Sequence, residues 1–199
     1  MRLVFASNNE HKLSEVRAMM PTDVEVLSLS AIGFASDIEE TGTTLEENSM
    51  IKARAVADFI SSQHSAVGIQ TDGVFADDTG LEIDALGGIP GVYTARWAGE
   101  PAANRKKALR ELEGISDRGC QFRTVITLIT NQGTQQVEGI VRGRIATEEY
   151  GTGGFGYDPV FIPEGYDKTF GELPAEVKNS ISHRARAMQA LVHILPHAQ

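Results

Sequence analysis

The chain alternates short apolar runs with stretches in which apolar residues recur every three or four positions. Residues 3–6 form an apolar run, and Leu13, Val16 and Met20 then follow at helical spacing until Pro21. A short apolar run predicts a buried strand, and the longer spacing predicts an amphipathic helix. The N-terminal segment is therefore predicted to be a strand, a loop and a helix.

The same patterns predict further strands and helices. Thr44 and Glu47 have the spacing of a capping box, which satisfies free N–H groups at a helix start, so we expect a helix from there to about Ser62. The sequence at 131–133 is a turn signal that joins two long strands into a hairpin. The other predicted strands are 24–29, 67–76, 81–86, 122–130, 136–146 and 160–162, and the other predicted helices are 101–112 and 178–194.

An apolar run that begins at Val74 ends in two adjacent carboxylates, Asp77 and Asp78, followed by Thr79 and Gly80. We interpret the run as a buried strand that ends at a loop, where functional sites tend to lie in sheet proteins. Asp and Gly also form turns that have no chemical role. The alternative is a magnesium and general-base site, which requires support from elsewhere in the chain.

Composition predicts one soluble domain over residues 1–199. The chain is 41% hydrophobic and 23% charged, and no apolar run approaches the roughly 18 residues of a membrane span. The apolar run at the N-terminus is too short for a signal peptide. We therefore expect a cytoplasmic protein that does not bind membranes. The single Cys120 excludes an internal disulfide, and its neighbours suggest a strand residue rather than a nucleophile.

The formal net charge of -9, from 27 acidic and 18 basic residues, argues against a broad nucleic-acid surface. A small anion would need a local group of cations or a metal ion. Lys12 is one candidate, because it follows three competent N-cap residues at 7–9, and a helix N-terminus attracts phosphate. Lys52 is another, and it shares a helix face with Asn48. The alternatives are simple capping at 7–9 and a lysine stem that covers the core.

Gly151, Gly153 and Gly156 satisfy the dinucleotide fingerprint G-x-G-x-x-G. That fingerprint works only if a helix begins there, and the following residues predict an extended strand instead. We therefore reject the motif and interpret the segment as a loop that presents Phe155 and Asp158. Phe155 is either a platform for a nucleobase or a ring that closes over its own hairpin.

Together these residues provide what a nucleoside triphosphate requires: carboxylates for Mg²⁺, cations for phosphate and an aromatic ring for the base. The carboxylates are Asp77, Asp78, Glu39 and Glu40, the cations are Lys12, Lys52, Lys178 and Arg184, and the ring is Phe155.

Six motifs in this order resemble the inosine triphosphate pyrophosphatase family, whose members hydrolyse deaminated purine nucleoside triphosphates to the monophosphate and pyrophosphate. The resemblance runs from the first predicted strand to the last predicted helix. The motifs are Ser7-Asn8-Asn9 with Lys12; Glu39-Glu40-Thr41-Gly42 with Glu47, Asn48, Lys52 and Ala53; residues 76–81; Gly88, Pro90, Gly91, Tyr93, Ala95 and Arg96; residues 153–159; and Ser182-His183-Arg184.

The resemblance implies that Asp78 is the general base and a metal ligand, that Glu39 is the second metal ligand and that the cofactor is Mg²⁺. It assigns the triphosphate to Ser7, Asn8, Asn9, Glu10, His11, Lys12, Lys52 and Thr79. It assigns the base to Phe155, Gly156, Tyr157, Asp158, Lys178, His183 and Arg184. The implied fold is α/β: an elongated, two-lobed single domain around a long mixed sheet with flanking helices, its active site in the central cleft, usually a homodimer.

The chain departs from the family pattern at two positions. Ser7-Asn8-Asn9 replaces the frequent Thr-Gly-Asn, which preserves the hydroxyl, and His11 replaces a residue that is often small. Two other functions remain open. One is a related pyrophosphatase that acts on modified pyrimidine nucleotides, and the other is a nucleotide sensor without turnover. The presence of Asp78, Glu39 and Lys52 together speaks against the sensor.

Overall fold

The structure is a computed structural model that describes residues 1–63 and 70–195. The described strands and helices confirm the predicted alternation of the two. The strands are β1 (Arg2–Phe5), β2 (Glu25–Leu27), β3 (Gly73–Ile83), β4 (Pro90–Gly91), β5 (Gly119–Thr130), β6 (Gly133–Ile145) and β7 (Phe161–Pro163). The helices are α1 (Glu10–Met19), α2 (Leu45–Gln63), α3 (Pro101–Glu111), α4 (Ala175–Ile181) and α5 (His183–Ile194).

The strands form one seven-stranded mixed sheet in the order β2-β1-β3-β5-β6-β7, with β4 paired to β3. Strand β1 is parallel to both β2 and β3, with Phe5 opposite Phe75. Strand β4 is antiparallel to β3, and β7 is antiparallel to β6. The predicted α/β class, a mixed sheet with helices, is therefore confirmed.

The chain divides into two compact units. The first unit comprises Met1–Asp78, Val125–Glu138 and Ala187–Gln199, as far as these residues are described. It contains two hydrophobic clusters. One joins β1 and α1 to α5, and its members include Leu3, Phe5, Leu13, Val16, Phe75, Ile126, Met188 and Leu191. The other joins α2 to β1 and β3, and its members include Val4, Leu29, Ala53, Val56, Val74 and Ala76.

The second unit comprises Thr79–Thr124 and Gly139–Arg186. Its core contains Leu81, Ile83, Phe122, Val141, Tyr157, Phe161 and Phe170. Cys120 belongs to the same core and is fully buried, which raises the pKa of its thiol to about 12. Because the thiolate is the reactive form, Cys120 is a packing residue of β5, as its neighbours predicted.

Strand β3 differs most from the prediction. Asp77, Asp78, Thr79 and Gly80 do not form a loop between two strands but lie inside the continuous strand Gly73–Ile83. Strand β1 pairs with Gly73–Phe75 at the start of β3, β4 pairs with Leu81 and Glu82 near its end, and β5 is its other neighbour in the sheet. The predicted strand 67–76 began too early: residues 70–72 are not in a strand, and 64–69 lie outside the described residues.

The capping box at the start of α2 is confirmed with one change. Glu47 N donates to Thr44 Oγ1 at 3.1 Å, as expected. The Glu47 carboxylate accepts from Thr43 N at 2.6 Å and from Thr43 Oγ1 at 2.9 Å, so it reaches one residue further back than in the standard box. These hydrogen bonds to the charged form lower the pKa of Glu47.

The predicted C-terminal helix is two helices. Ser182 has extended backbone angles (φ -66°, ψ 163°) that end α4. Its hydroxyl then accepts from Ala185 N at 3.1 Å, and its carbonyl accepts from Arg186 N. Serine is a strong N-cap because it offers the backbone an alternative to the helix ladder. The break puts His183 and Arg184 in the first turn of α5.

The glycine segment that mimics a dinucleotide fingerprint is followed by turns over residues 156–160 and then by β7. No α-helix begins there, which confirms that the motif is not a dinucleotide site. The strand starts at Phe161 rather than at Val160. Among the described residues, no helix is both long and apolar enough to cross a membrane.

Candidate active site

The Asp78 side chain lies in a charged group within the first unit. Lys52 of α2 donates to Asp78 Oδ1 at 2.9 Å and to Glu40 Oε1 at 2.7 Å. Asn48, one helical turn before Lys52, donates to Asp78 Oδ2 at 3.3 Å. The predicted shared face of Asn48 and Lys52 is therefore confirmed, and that face meets the carboxylate of β3.

Burial and neighbouring charges shift the pKa values of Asp78 and Lys52. Burial is the main reason that the pKa of Asp78 is raised, and the nearby Lys52 cation opposes the shift without cancelling it. Burial by itself would lower the pKa of Lys52, but the carboxylates of Asp78, Asp77 and Glu40 together raise it. Lys52 therefore stays charged, while Asp78 accepts a proton more readily than an exposed aspartate.

Asp77 has a different partner from Asp78. Successive side chains of a strand point to opposite faces, so the two adjacent aspartates point away from each other. Lys12 of α1 donates to Asp77 Oδ1 at 2.9 Å, and the Asp77 side chain is 1% exposed. The strand thus divides the two acids between two helices: Asp77 faces α1, and Asp78 faces α2.

The loop before α1 is an ordinary helix start. Asn9 is the N-cap, and its side chain accepts from Lys12 N at 3.1 Å. Ser7 Oγ accepts from Asn9 N at 3.2 Å. Asn8, Glu10 and His11 are exposed. Capping is therefore confirmed as one role of this loop, and its predicted contact with phosphate stays a prediction.

Glu39, the predicted second metal ligand, is exposed, whereas its neighbour Glu40 is half-buried and bonds to Lys52. The two glutamates are consecutive, so sequence alone did not decide which of them approaches Lys52. The metal role of Glu39 stays a prediction.

A second group of predicted residues lies within the second unit. Lys178 of α4 donates to Asp158 Oδ2 at 2.6 Å, and both side chains are buried. The same oxygen accepts from Phe155 N at 2.7 Å. The Phe155 ring centroid lies 4.6 Å from Lys178 Nζ and 5.8 Å from Arg184 Cζ, so two cations contact the half-buried ring.

His183 and Arg184 are both buried at the start of α5. His183 Nδ1 lies 2.6 Å from Thr124 Oγ1, and the imidazole packs against Phe122 with ring centroids 4.7 Å apart. Thr124 Oγ1 lies 2.8 Å from Thr79 Oγ1, which accepts from Arg184 Nη2 at 3.4 Å. The hydroxyl predicted to bind phosphate, that of Thr79, thus belongs to a side-chain network here.

Two predicted base-binding residues have packing partners. Tyr157 is a member of the second unit's core, and its hydroxyl donates to Thr94 O at 3.0 Å. Burial raises the pKa of that hydroxyl. Gly156 O accepts from Arg105 Nη1 at 2.9 Å. The contacts of Tyr157 and Gly156 with a base stay predictions.

Comparison with protein families matches residues 3–194 to the Ham1 family. The chain belongs to the Ham1 family. The resemblance to the inosine triphosphate pyrophosphatases is thereby confirmed, because curated relatives over nearly the whole chain carry the name dITP/XTP pyrophosphatase. One from Flavobacterium johnsoniae is 47% identical over 199 residues, which is 98% of each chain. Another from Bacillus subtilis is 45% identical over 199 residues, which is 96% of each chain.

Solved structures of Ham1 proteins have the same fold. The Ham1 protein of Staphylococcus aureus is 40% identical with a TM-score of 0.83, over 97% of each chain. A Ham1 protein from Coxiella burnetii is 36% identical with a TM-score of 0.83, over the full length of both chains. At these identities the similarity is one of family as well as of fold.

The side chains near Asp78 fit a magnesium ion. Within the described residues, no three His, Cys, Asp or Glu side chains form a ready-made metal cluster. Mg²⁺ usually takes only one or two protein carboxylates and completes its shell with substrate phosphates and water. Asp78 and Glu40 are hard oxygen donors that already converge on one cation, the Lys52 ammonium.

Sequence reasoning missed Thr124 as a member of the His183 network. The only signal was its position two residues after Phe122 on the same predicted strand, which places both side chains on one face. Nothing local indicated that this face meets His183, because the two residues are 59 positions apart in the chain.

Proposed function

We propose that this Ham1-family protein is a nucleoside triphosphate pyrophosphatase that acts on deaminated purine nucleotides. The substrates would be the triphosphates of inosine, deoxyinosine and xanthosine, and the products the monophosphate and pyrophosphate. The observation that carries the proposal is the buried carboxylate of Asp78, held by Lys52 and Asn48 with a raised pKa. The names of the curated relatives support the same activity.

Asp78 and Glu39, with Glu40 beside Lys52, are the carboxylates proposed to hold Mg²⁺. Bound there, the ion would polarise the α-phosphoryl group and neutralise charge on the leaving pyrophosphate. The hard oxygen donors around Asp78 support this choice of metal.

Asp78 is the proposed general base. It takes a proton from the attacking water, whose oxygen bonds to the α-phosphorus, while the bond from that phosphorus to the bridging oxygen of the pyrophosphate breaks. A raised pKa suits a general base, because a carboxylate with a higher pKa accepts the proton more readily. The cations Lys12 and Lys52 stabilise charge that develops on the phosphates.

The remaining predicted residues bind the substrate in this proposal. The triphosphate group comprises Ser7, Asn8, Asn9, Glu10, His11, Lys12, Lys52 and Thr79. The base group comprises Phe155, Gly156, Tyr157, Asp158, Lys178, His183 and Arg184. The contacts of Phe155 with Lys178 and Arg184 support a base role for this group, because an aromatic ring flanked by donors suits a flat, polar ligand.

Hydrogen-bond donors in the base group account for the proposed preference for deaminated bases. Inosine and xanthosine present a 6-oxo acceptor where adenosine presents an amino donor. A donor from His183 or Arg184 aimed at that position pairs with the oxo group, and it leaves the adenine amino group unpaired at a cost of about 1 to 3 kcal/mol.

A panel of triphosphates tests the proposal. Pyrophosphate release is measured with Mg²⁺ for inosine, xanthosine, guanosine, adenosine and modified pyrimidine triphosphates, and again after chelation by EDTA. We expect the 6-oxopurines inosine and xanthosine to be cleaved fastest and EDTA to stop turnover. Faster cleavage of modified pyrimidines would favour the related pyrophosphatase, and binding without release would favour the nucleotide sensor.

The proposal also includes a homodimer in the cytoplasm, with a small-molecule substrate and without nucleic-acid or membrane partners. The net charge of -9 supports the exclusion of nucleic acid, because a polyanion is repelled by an acidic surface. Sedimentation at micromolar concentration distinguishes a dimer from a monomer of 21.5 kDa.

A further inference from the structure

A chain of side-chain hydrogen bonds connects Arg184 to His183 through two threonine hydroxyls. Arg184 Nη2 lies 3.4 Å from Thr79 Oγ1, Thr79 Oγ1 lies 2.8 Å from Thr124 Oγ1, and Thr124 Oγ1 lies 2.6 Å from His183 Nδ1. All four residues belong to the second unit. Within this hydrogen-bond chain, Thr124 is the residue that contacts the imidazole.

The first member of this hydrogen-bond chain fixes the direction of one hydrogen bond. A guanidinium has only donors, so Arg184 donates and Thr79 Oγ1 accepts. Each hydroxyl carries one proton, and Thr79 can pass its proton toward Thr124 while accepting from Arg184. In that order Thr124 donates its own proton to His183 Nδ1, whereas in the reverse order, with Thr79 accepting on both lone pairs, His183 Nδ1–H would donate to Thr124. A neutral imidazole that accepts at Nδ1 carries its proton on Nε2.

Thr124 and Phe122 hold the same ring. They are two residues apart on β5, so their side chains lie on one face of the strand. The Phe122 ring packs against the His183 ring with an angle of 33° between the two ring planes, and Thr124 bonds to one edge of the imidazole. The tilted ring contact restricts the plane of the imidazole, and the hydrogen bond restricts its rotation within that plane. Thr124 and His183 are both buried, so solvent does not compete for this bond.

We propose that Thr124 is a positioning residue that holds His183 as an Nε2–H donor, ready for the 6-oxo group of a deaminated purine. Thr124 acts through His183 and does not itself contact the base. The specificity part of this inference rests on the proposed function. The tautomer part is independent of it, because it concerns the free protein.

The first experiment measures the His183 tautomer. The ring nitrogens of ¹⁵N-labelled, ligand-free protein are recorded by NMR and assigned from the signals that His183→Gln removes. We expect a protonated Nε2 and an unprotonated Nδ1. A proton on Nδ1 in the wild-type protein overturns the proposal without the need for any Thr124 variant.

The second experiment removes the Thr124 hydroxyl. In Thr124→Val we expect the tautomer preference to be lost and the ratio of kcat/KM for inosine triphosphate over adenosine triphosphate to fall about tenfold, the effect of one lost hydrogen bond. The change should lie mainly in KM for inosine triphosphate. Thr124→Ser restores the hydroxyl and should restore both readouts.

Thr127→Val is the matched control. Thr127 lies on the same strand and is also fully buried, but its hydroxyl bonds to Ser49 Oγ at 2.6 Å and accepts from Gln136 Nε2 at 2.8 Å. This variant should lose stability while it keeps the His183 tautomer and the substrate ratio. An equal fall of the ratio in Thr124→Val and Thr127→Val would show a structural effect only and would refute the positioning role.

The two proposals fail separately. If the wild-type protein releases no pyrophosphate from any triphosphate, the proposed function fails while the tautomer measurement still decides the state of His183. If inosine triphosphate is cleaved but Thr124→Val keeps the wild-type tautomer and ratio, the proposed function stands and the role of Thr124 is refuted.

Discussion

Lys52 donates to Asp78 across 2.9 Å with both side chains only about a tenth exposed (10% and 11%). The pair is 26 positions apart in the sequence and joins helix α2 to strand β3. Because both side chains are buried, removing one of them leaves the other charge unpaired, and the folded state loses stability.

Asp78→Asn is expected to lower kcat by about 100- to 10,000-fold, because the amide cannot take a proton from water. The measurement is pyrophosphate release from inosine triphosphate at saturating substrate. Asp84→Asn is the control, since Asp84 lies just after β3 and its carboxylate pairs with Arg142. We expect that control to keep wild-type turnover, and an unchanged rate in Asp78→Asn would remove Asp78 from the proposed mechanism.

Lys52→Met is expected to lower the free energy of unfolding by about 3 to 5 kcal/mol, because the carboxylates of Asp78 and Glu40 lose their buried counter-charge. Urea unfolding measures the loss. The double variant Lys52→Met/Asp78→Asn should recover part of it, since one carboxylate is then neutral. Arg2→Met is the comparison. Its ion pair with Glu25 is about half exposed, and its removal should cost no more than about 1 kcal/mol.

Gly154→Ala is expected to raise KM for inosine triphosphate about tenfold. A Cβ at this position would collide with the Asp158 carboxylate, which holds Lys178 and the Phe155 N–H. The φ of 69° also favours glycine. Gly165→Ala has a similar φ of 84° but an open space for its Cβ, so it should reduce stability and leave KM unchanged. Equal KM values for the two variants would contradict this prediction.

Glu47→Gln is expected to destabilise the protein at neutral pH and to have less effect in acid. The pKa of Glu47 is lowered from 4.5 by its hydrogen bonds to Thr43, so its contribution is fully present above the ordinary pKa and is lost as the pH falls through the lowered value. Urea unfolding of the wild type and the variant at several pH values measures this difference. Glu100→Gln is the control, because Glu100 starts α3 without a side-chain cap bond. A Glu47→Gln difference that stays constant with pH would exclude the proposed linkage.

Much of the fold was predictable because local periodicity reflects local structure. The strand, loop and helix at the N-terminus and the start of α2 at the capping box appear in the structure close to their predicted bounds. Helical spacing also placed Asn48 and Lys52 on one face, and both of them bond to Asp78. Such features depend on residues within one or two turns of each other.

Two errors came from local signals, of which sheet pairing overrode the first and a competing local cap the second. Asp77, Asp78 and Gly80 resemble a turn, yet they lie within β3, which runs on from its pairing with β1 to its pairing with β4, and lysines bond to both acids. The continuous helical pattern after Lys178 concealed the break at Ser182, where a serine cap competes with the helix ladder.

Motifs and local periodicity were enough to predict the α/β class, the family and the residue types that a triphosphate site requires. Tertiary contacts were needed to show that Asp77 faces Lys12 while Asp78 faces Lys52, that Glu40 rather than Glu39 bonds to Lys52, and that Thr124 bonds to His183. The physical reason is distance along the chain. Each of these contacts joins elements that are brought together by sheet pairing and core packing, and no local pattern encodes which polar side chains then meet.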